Sequence, residues 1–321
     1  MAAAFCSSLS LANDPPPLQK SQVLLLNAYH KGYLWTDEIT RGVEDVLSMP
    51  GIDLHIDYMD TKRQFDGSYL NLLARILAMK HSRHRYDVVI ASDNNAFDFL
   101  RTRGQAIFEQ TPVVFCGLNY LKPGQLDGLE WFTGVNEQAD LDRNLKLIRQ
   151  IHPDVKQIIL VTDDTATGKR IQEETLSIQA GKGYPSGLIE LVYDLSVNEL
   201  IGKLSRLEAG QVVLFTFFFR DRLGRFLEYD EATQIVCSYS PVPVYGAWNF
   251  SFGLGIIGGY LASGYDQGAS AAQKTVKIIN GTPVDEVPVL WQTPTHLRFD
   301  YRQMEKYGIP DYEELIFVCG K

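Results

Sequence analysis

The sequence alternates regularly between strand-like and helix-like segments from Ser21 onward. Short apolar runs, such as residues 88–90, are followed by longer segments in which apolar residues recur at helical spacing. This order is typical of βαβ units, in which right-handed helical crossovers join parallel strands. The same rhythm starts again after Gly134. The sequence therefore predicts an α/β protein with two doubly wound parallel-sheet lobes. A closed barrel of repeated βα units is the alternative.

The individual elements follow from apolar spacing and turn residues. A late helix over residues 266–280 is closed by Gly281, and residues 287–299 are extended. The predicted strands cover residues 23–26, 52–58, 88–90, 113–115, 158–161, 188–193, 212–219 and 242–245. The other predicted helices cover residues 36–47, 70–79, 97–100, 138–151, 167–180, 197–207, 229–240 and 301–307.

Length and charge narrow the class of protein. The 321 residues suffice for about two domains, each with its own core. A formal net charge of −9 argues against nucleic acid as a partner. The four cysteines form no CxxC pair, which disfavours a zinc knuckle or a thioredoxin-like motif. We predict that Cys116 and Cys237 behave as small buried hydrophobic residues.

Enzyme signatures match poorly. Gly253, Gly255 and Gly258 fit the dinucleotide fingerprint by letter, but Ile278 stands where an acidic residue should follow. Residues 165–169 suggest a phosphate loop without its leading glycine. The sequence contains no HExxH motif and no nucleophile elbow. We therefore predict no cofactor, no metal and a binding role, with an enzyme on the same scaffold as a less favoured alternative.

The first residues have the composition of a leader. Residues 1–12 are small and apolar, and residues 13–17 contain three prolines that break any helix. We interpret residues 1–21 as a signal-peptide remnant and leader, with Ala12 at the cleavage position, which predicts an extracytoplasmic protein. A cytoplasmic leader is the alternative. No later segment reaches the roughly 20 apolar residues of a membrane span.

Polar and aromatic residues follow the predicted strands directly, and in open parallel sheets ligands bind at the carboxyl ends of the strands. Aromatic faces beside hydroxyl, amide and carboxylate groups suit a small organic ligand with an apolar part. We therefore predict as ligand-binding residues Tyr29, Trp35, Ser92, Asp93, Asn94, Cys116, Gly117, Asn119, Asp163, Asp164, Thr165, Thr216, Phe217, Tyr245 and Trp248.

Some of these residues have a purely structural alternative. Ser92 and Asp93 can serve only as caps of the following helix. Simple alternation places at least one of residues 217–219 in the core. Tyr33 and Trp35 can pack under the first helix instead of facing a cleft.

Six stretches together resemble the ABC-transporter substrate-binding-like family of the type I periplasmic-binding-protein superfamily. Within it, the chain most resembles the extracytoplasmic sensor domains of bacterial histidine kinases and diguanylate cyclases. The stretches are VLLLNAYHKGYLWTDEITRGV (residues 23–43), ASDNNA (91–96), TPVVFCGLN (111–119), VTDDTATG (161–168), PVYGAWNFSFGLGIIGGYLASGYDQG (243–268) and FDYRQMEKYGI (299–309).

The resemblance implies two lobes that close on a ligand about a hinge. With the restart of the rhythm, it predicts lobe I from residues 22–135 plus 253–281, and lobe II from residues 136–252 plus 282–321. The expected function is a sensor module for an amino-acid-like or aromatic small molecule, signalling to a membrane-bound kinase or cyclase. The alternative is the solute-binding component of an ABC uptake transporter, whose partner is the membrane-bound transport protein.

Overall fold

The computed structural model describes residues 20–181 and 183–310, so most of the predicted leader lies outside the described residues. The strands are β1 (Ser21–Asn27), β2 (Ile52–Tyr58), β3 (Val88–Ser92), β4 (Val113–Asn119), β5 (Phe132–Glu137), β6 (Gln157–Val161), β7 (Ile189–Val192), β8 (Gln211–Phe215), β9 (Val244–Gly246), β10 (Gly258–Ala262) and β11 (Thr295–Phe299).

The helices alternate with these strands. They are α1 (Leu34–Leu47), α2 (Gly67–His81), α3 (Asp93–Phe99), α4 (Gln105–Phe108), α5 (Leu141–Ile151), α6 (Ala166–Gly181), α7 (Val197–Leu204), α8 (Tyr229–Tyr239), α9 (Gly264–Ile279) and α10 (Tyr301–Lys306). A π-helical turn (Leu100–Gly104) joins α3 to α4. Among the described residues, no helix is long and apolar enough to cross a membrane.

Two parallel sheets organise the fold. The first has the strand order β2-β1-β3-β4-β5 and the second β7-β6-β8-β9. Every pairing within these two sheets is parallel. In each sheet the chain therefore begins at an inner strand, β1 or β6, adds the next strand on one side, and then adds the remaining strands on the other side. This reversal of strand order is the doubly wound arrangement. The predicted architecture of two such lobes is confirmed, and the closed barrel is excluded.

Apolar packing covers both faces of each sheet. In β1, Leu25 belongs to one buried cluster and Leu24 to another, because successive side chains point to opposite faces. In β6, Leu160 and Ile159 are separated in the same way. Strands buried on both faces read as continuous apolar runs, which explains why the sequence located them so directly.

Helix α9 packs along α1, beside the first sheet. Glycines allow this approach: a Cβ on Gly42 would lie 2.2 Å from the carbonyl oxygen of Tyr265, and one on Gly268 would lie 2.1 Å from that of Ile39. The axes of the two helices can therefore approach closely, and any larger residue at either glycine would force them apart.

Two segments lie against a different sheet from the one in their predicted lobe. Strand β10 lies beside β9 of the second sheet, because the amide of Ile257, just before β10, donates to the carbonyl of Val244 (2.7 Å). Conversely, Leu290 donates to the carbonyl of Gly134 at 2.9 Å, which sets residues near 290 against the edge strand β5. Unsatisfied backbone groups at a sheet edge attract such segments. The division into 22–135 plus 253–281 and 136–252 plus 282–321 stays a prediction.

Candidate functional site

A cavity of about 260 Å³ lies at the carboxyl ends of the strands of both sheets. Both sheets contribute residues to it, as expected at the points where doubly wound sheets reverse strand order. Its aromatic lining consists of Tyr29, Trp35, Phe217, Phe219, Phe226, Tyr229, Trp248 and Phe250. Its polar lining consists of Lys62, Asp93, Asn119, Glu137, Thr165, Thr167 and Arg220.

Seven of the predicted residues line this cavity. They are Tyr29, Trp35, Asp93, Asn119, Thr165, Phe217 and Trp248. The sequence left open whether Trp35 packs in the core or faces the cavity, and it does both. Its side chain, in the first turn of α1, is buried in the core, and its indole N–H donates to the cavity carboxylate of Asp93. Whether these residues bind a ligand remains a prediction.

Five other predicted residues lie behind the cavity wall and shape it. Ser92 donates its hydroxyl to Asp93 (3.1 Å), and Asn94 accepts from the amide of Asn119 (3.3 Å). The remaining three are Cys116, which is fully buried and free, Gly117, and Asp163.

Asp163 is the clearest of these supporting groups. Its buried carboxylate accepts backbone N–H bonds from Thr165 (3.0 Å), Phe219 (2.9 Å) and Arg220 (3.3 Å). Because of these bonds, the chain turns away from the strand direction after β8. The strand predicted over residues 212–219 therefore ends at Phe215. Phe219 consequently lines the cavity instead of extending the sheet.

Three predicted residues point elsewhere, and each has a local reason. Asp164 is exposed and pairs with Lys169 at 3.2 Å. Thr216 is fully buried and donates to the carbonyl of Val161 at 2.8 Å. Tyr245 is fully buried in strand β9, and its hydroxyl shares a 3.0 Å hydrogen bond with His152. None of the three reaches the cavity lining.

Two buried carboxylates face the cavity, each held by an indole. Trp35 donates its Nε1–H to Oδ1 of Asp93 at 2.9 Å. Trp248 donates to Oε1 of Glu137 at 3.1 Å, and Asn119 donates to Oε2 at 3.0 Å. Asp93 follows β3 and Glu137 ends β5, so two strands of the first sheet, separated by β4, present both groups at one edge.

The backbone around Asp93 is strained. Asp93 has φ of 70°, a left-handed conformation that is uncommon for a residue with a side chain. Gly117, with φ of +65°, lies under it, and a Cβ there would be only 2.9 Å from Oδ1 of Asp93. Buried strain of this kind is concentrated at functional positions, where the surrounding structure maintains it.

Burial governs the ionisation of the two carboxyls. It raises the pKa of Asp93 to about 7, against the opposing effect of the Trp35 hydrogen bond and the nearby Lys62 charge. Burial, together with repulsion from Asp93, raises the pKa of Glu137 to about 8. Two like charges in a dry site disfavour each other's ionisation. Near neutral pH the pair therefore still holds protons even beside Lys62, and a further positive group would favour their release.

Aromatic rings connect the two lobes across the cavity. Tyr33, which precedes α1, shares a hydrogen bond between hydroxyls with Tyr229, which begins α8. Tyr229 also stacks on Phe250 with ring centroids 4.3 Å apart and meets Phe219 edge-on at 5.0 Å. The ammonium of Lys62 lies 4.5 Å from the ring centroid of Tyr29. These contacts form a continuous aromatic wall from one lobe to the other.

Sequence reasoning missed eight lining residues. They are Lys62, Glu137, Thr167, Phe219, Arg220, Phe226, Tyr229 and Phe250. Glu137 could have been found, because it ends a strand of the same parallel sheet as Asp93, but β5 was not predicted. Tyr229 carries no local signal, since only the packing of α8 brings its ring to the cavity.

No protein-family model matches the sequence, and no curated protein matches it. Solved structures do match. The ABC domain in complex with L-Trp from Streptococcus pneumonia is 16% identical, covering 93% of this chain and 98% of that one, with a TM-score of 0.61. The ligand-free, open form of a substrate binding protein with adhesive properties from Clostridium difficile is 17% identical, covering 91% and 96%, with a TM-score of 0.64.

The trehalose repressor from Escherichia coli is also similar, with 13% identity, coverage of 87% and 100%, and a TM-score of 0.54. At such identities the likeness concerns the fold. Together with the two parallel sheets, it assigns this chain the two-lobed fold of type I periplasmic binding proteins. Substrate-binding proteins and a transcriptional repressor share that fold, so role and ligand must be argued from the site.

Proposed function

We propose that this protein binds a small organic molecule with an aromatic or apolar part between its lobes, closes on it, and leaves it chemically unchanged. The observation that carries the proposal is that both sheets line one cavity rich in aromatic side chains. A ligand that touches both lobes stabilises the closed arrangement, whereas a ligand held by one lobe alone does not.

The described lining residues support binding over catalysis. They include no serine, cysteine or histidine. Cys116, which the sequence predicted as a ligand-binding residue, is fully buried and does not line the cavity. Both carboxylates already accept hydrogen bonds from indole N–H groups, which position them as fixed recognition groups. Mass spectrometry of the bound molecule before and after prolonged incubation tests this part, since a transformed ligand would contradict it.

Small-angle scattering tests closure. We expect the radius of gyration to fall when a co-purified or screened ligand saturates the protein, because closure brings the lobes together. Saturation should also raise the free energy of unfolding by ~2.7 kcal/mol at 100 times the dissociation constant. Saturable binding without compaction would contradict the clamshell mechanism.

For the biological role, we propose the solute-binding component of an extracytoplasmic uptake system, delivering its ligand to a membrane-bound transporter. The names of the Streptococcus and Clostridium structures favour this role over the sensor role that the sequence suggested first. One sequence feature still supports the sensor role: residues 299–309 resemble the corresponding stretch of the sensor domains. Adjacent permease and ATPase genes would support transport, whereas a fused kinase or cyclase would support sensing.

A further inference from the structure

The buried part of the cavity holds an unbalanced pair of negative groups. Asp93 and Glu137 are 2% and 5% exposed. The lining also contains two cations: Arg220, which is exposed, and Lys62, whose charge opposes the rise in the pKa of both carboxyls. A buried carboxylate is costly unless a positive charge or several donors accompany it. Among the described lining residues, Lys62 is the cation that lowers the pKa of both carboxyls, so two buried carboxylates share one neighbouring positive charge.

The surrounding rings are suited to a cation. The ammonium of Lys62 lies 4.5 Å from the ring centroid of Tyr29 and 5.1 Å from that of Tyr33, at the distances of cation–π attraction. Farther along the same aromatic wall, Phe219, Tyr229 and Phe250 pack together without a cation among the described residues. Several aromatic faces beside carboxylates are the usual surroundings of a bound organic ammonium group.

We propose that the ligand is an organic amine of net positive charge, with its ammonium group between the Asp93–Glu137 pair and the rings of Phe219, Tyr229 and Phe250. This inference rests on the proposed binding function and specifies its ligand class. A zwitterionic amino acid would bring one positive and one negative charge to two carboxylates, leaving the local negative charge uncompensated. A cation reduces that charge by one.

Protons occupy the place of this cation when the ligand is absent. Burial and mutual repulsion favour protonated Asp93 and Glu137, and an entering ammonium reverses that preference. The other titratable or charged groups around the pair are Tyr29, Tyr33, Lys62, Cys116, Arg220, Glu228 and Tyr229. Binding of a cation should therefore release protons, measurable by calorimetry in buffers of different ionisation enthalpy.

Calorimetric titration with probes of matched shape tests the ligand class. The probes are two cations (tryptamine and phenyltrimethylammonium), the zwitterion L-tryptophan, the anion indole-3-propionate and the neutral 3-methylindole. We expect at least one cation to bind roughly tenfold or more tightly than every other probe, because a desolvated cation–π contact and a carboxylate both act on it. Equal or tighter binding of the zwitterion, anion or neutral probe, or no binding of either cation, would overturn the inference.

Variants locate the effect. Asp93→Asn and Glu137→Gln keep an oxygen for the indole N–H and should weaken cation binding roughly tenfold, while 3-methylindole affinity stays within about threefold. Asp98→Asn, an exposed carboxylate on the same helix as Asp93, is the matched control and should change neither. Unchanged cation binding in both cavity variants would contradict the inference. If only a neutral or anionic probe lowers the radius of gyration, the binding function stands and the ligand class is overturned. If none of the probes lowers it, the result counts against both.

Discussion

Trp248 donates its indole N–H to Glu137 at 3.1 Å, and this bond connects the two parallel sheets. Trp248 follows β9 of the second sheet, whereas Glu137 ends β5 of the first. The indole is also 2% exposed and packs against Phe217, with ring centroids 5.5 Å apart. One residue therefore contributes to the core, to the cavity wall and to the contact between the two sheets.

Replacing Trp248 with Phe should separate these roles, because phenylalanine retains a ring and removes the N–H donor. Glu137 then loses one of its two donors, so its pKa should rise further. The free energy of unfolding near neutral pH should fall by about 1–3 kcal/mol, the cost of an unsatisfied buried polar group. Denaturant titration measures this. Trp291→Phe, at a 41% exposed tryptophan, is the control and should change stability by less than about 0.5 kcal/mol.

The two raised carboxyl pKa values predict how stability depends on pH. The unfolded chain releases these protons near pH 4, whereas the folded protein holds them to about 7 at Asp93 and about 8 at Glu137. The two protonated carboxyls therefore make their full contribution to the free energy of unfolding below about pH 4, and this contribution is lost as the pH rises through 7 and 8. Between these limits each carboxyl lowers stability by at most about 1.4 kcal/mol per pH unit.

Chemical denaturation from pH 5 to 9 checks this sign. The slope of stability against pH should become less negative in Asp93→Asn and in Glu137→Gln, since neither variant has a proton to lose at that position. The control Asp98→Asn should keep the parent slope. If the parent protein and both cavity variants show the same slope of stability against pH, the elevated pKa values of Asp93 and Glu137 are contradicted.

The hydrogen bond between Tyr33 and Tyr229 predicts an effect on lobe closure. Tyr229→Phe keeps the ring stacked on Phe250 and removes one partner of the bond, so the closed form should lose about 0.5–1.5 kcal/mol. Ligand affinity should fall about two- to tenfold, with a larger unliganded radius of gyration by small-angle scattering. Tyr239→Phe, at an exposed position on the same helix, should leave both quantities unchanged.

Gly117 predicts a steric effect beneath Asp93. Gly117→Ala places a Cβ 2.9 Å from Oδ1 of Asp93 and adds the strain of φ at +65°. Gly128→Ala provides the control, because its φ of +76° is similarly strained and its Cβ would meet nothing within 4 Å. Both variants should lose stability, by about 1–2 kcal/mol from the backbone alone. Only Gly117→Ala should also weaken ligand binding, and equal binding by both variants would remove the role of Gly117 in supporting Asp93.

The alternation of apolar runs and amphipathic segments was sufficient to predict most of the two parallel sheets. Strand β3 was found because all five of its residues are buried, and such strands appear as apolar runs. Strands β5 and β10 were missed. The sequence of β10 begins with two glycines at positive φ, and glycine gives no strand signal.

The sequence by itself determined the α/β class, the paired sheets and the sheet edge at which polar and aromatic loops would gather, because these follow from local periodicity and from the geometry of parallel strands. Only the tertiary structure decided which side chains share the cavity. Glu137 meets Trp248 across 111 positions of sequence, and Tyr33 meets Tyr229 across 196. Such pairings depend on how two separately formed lobes pack together, and side-chain spacing along the chain carries no record of that packing.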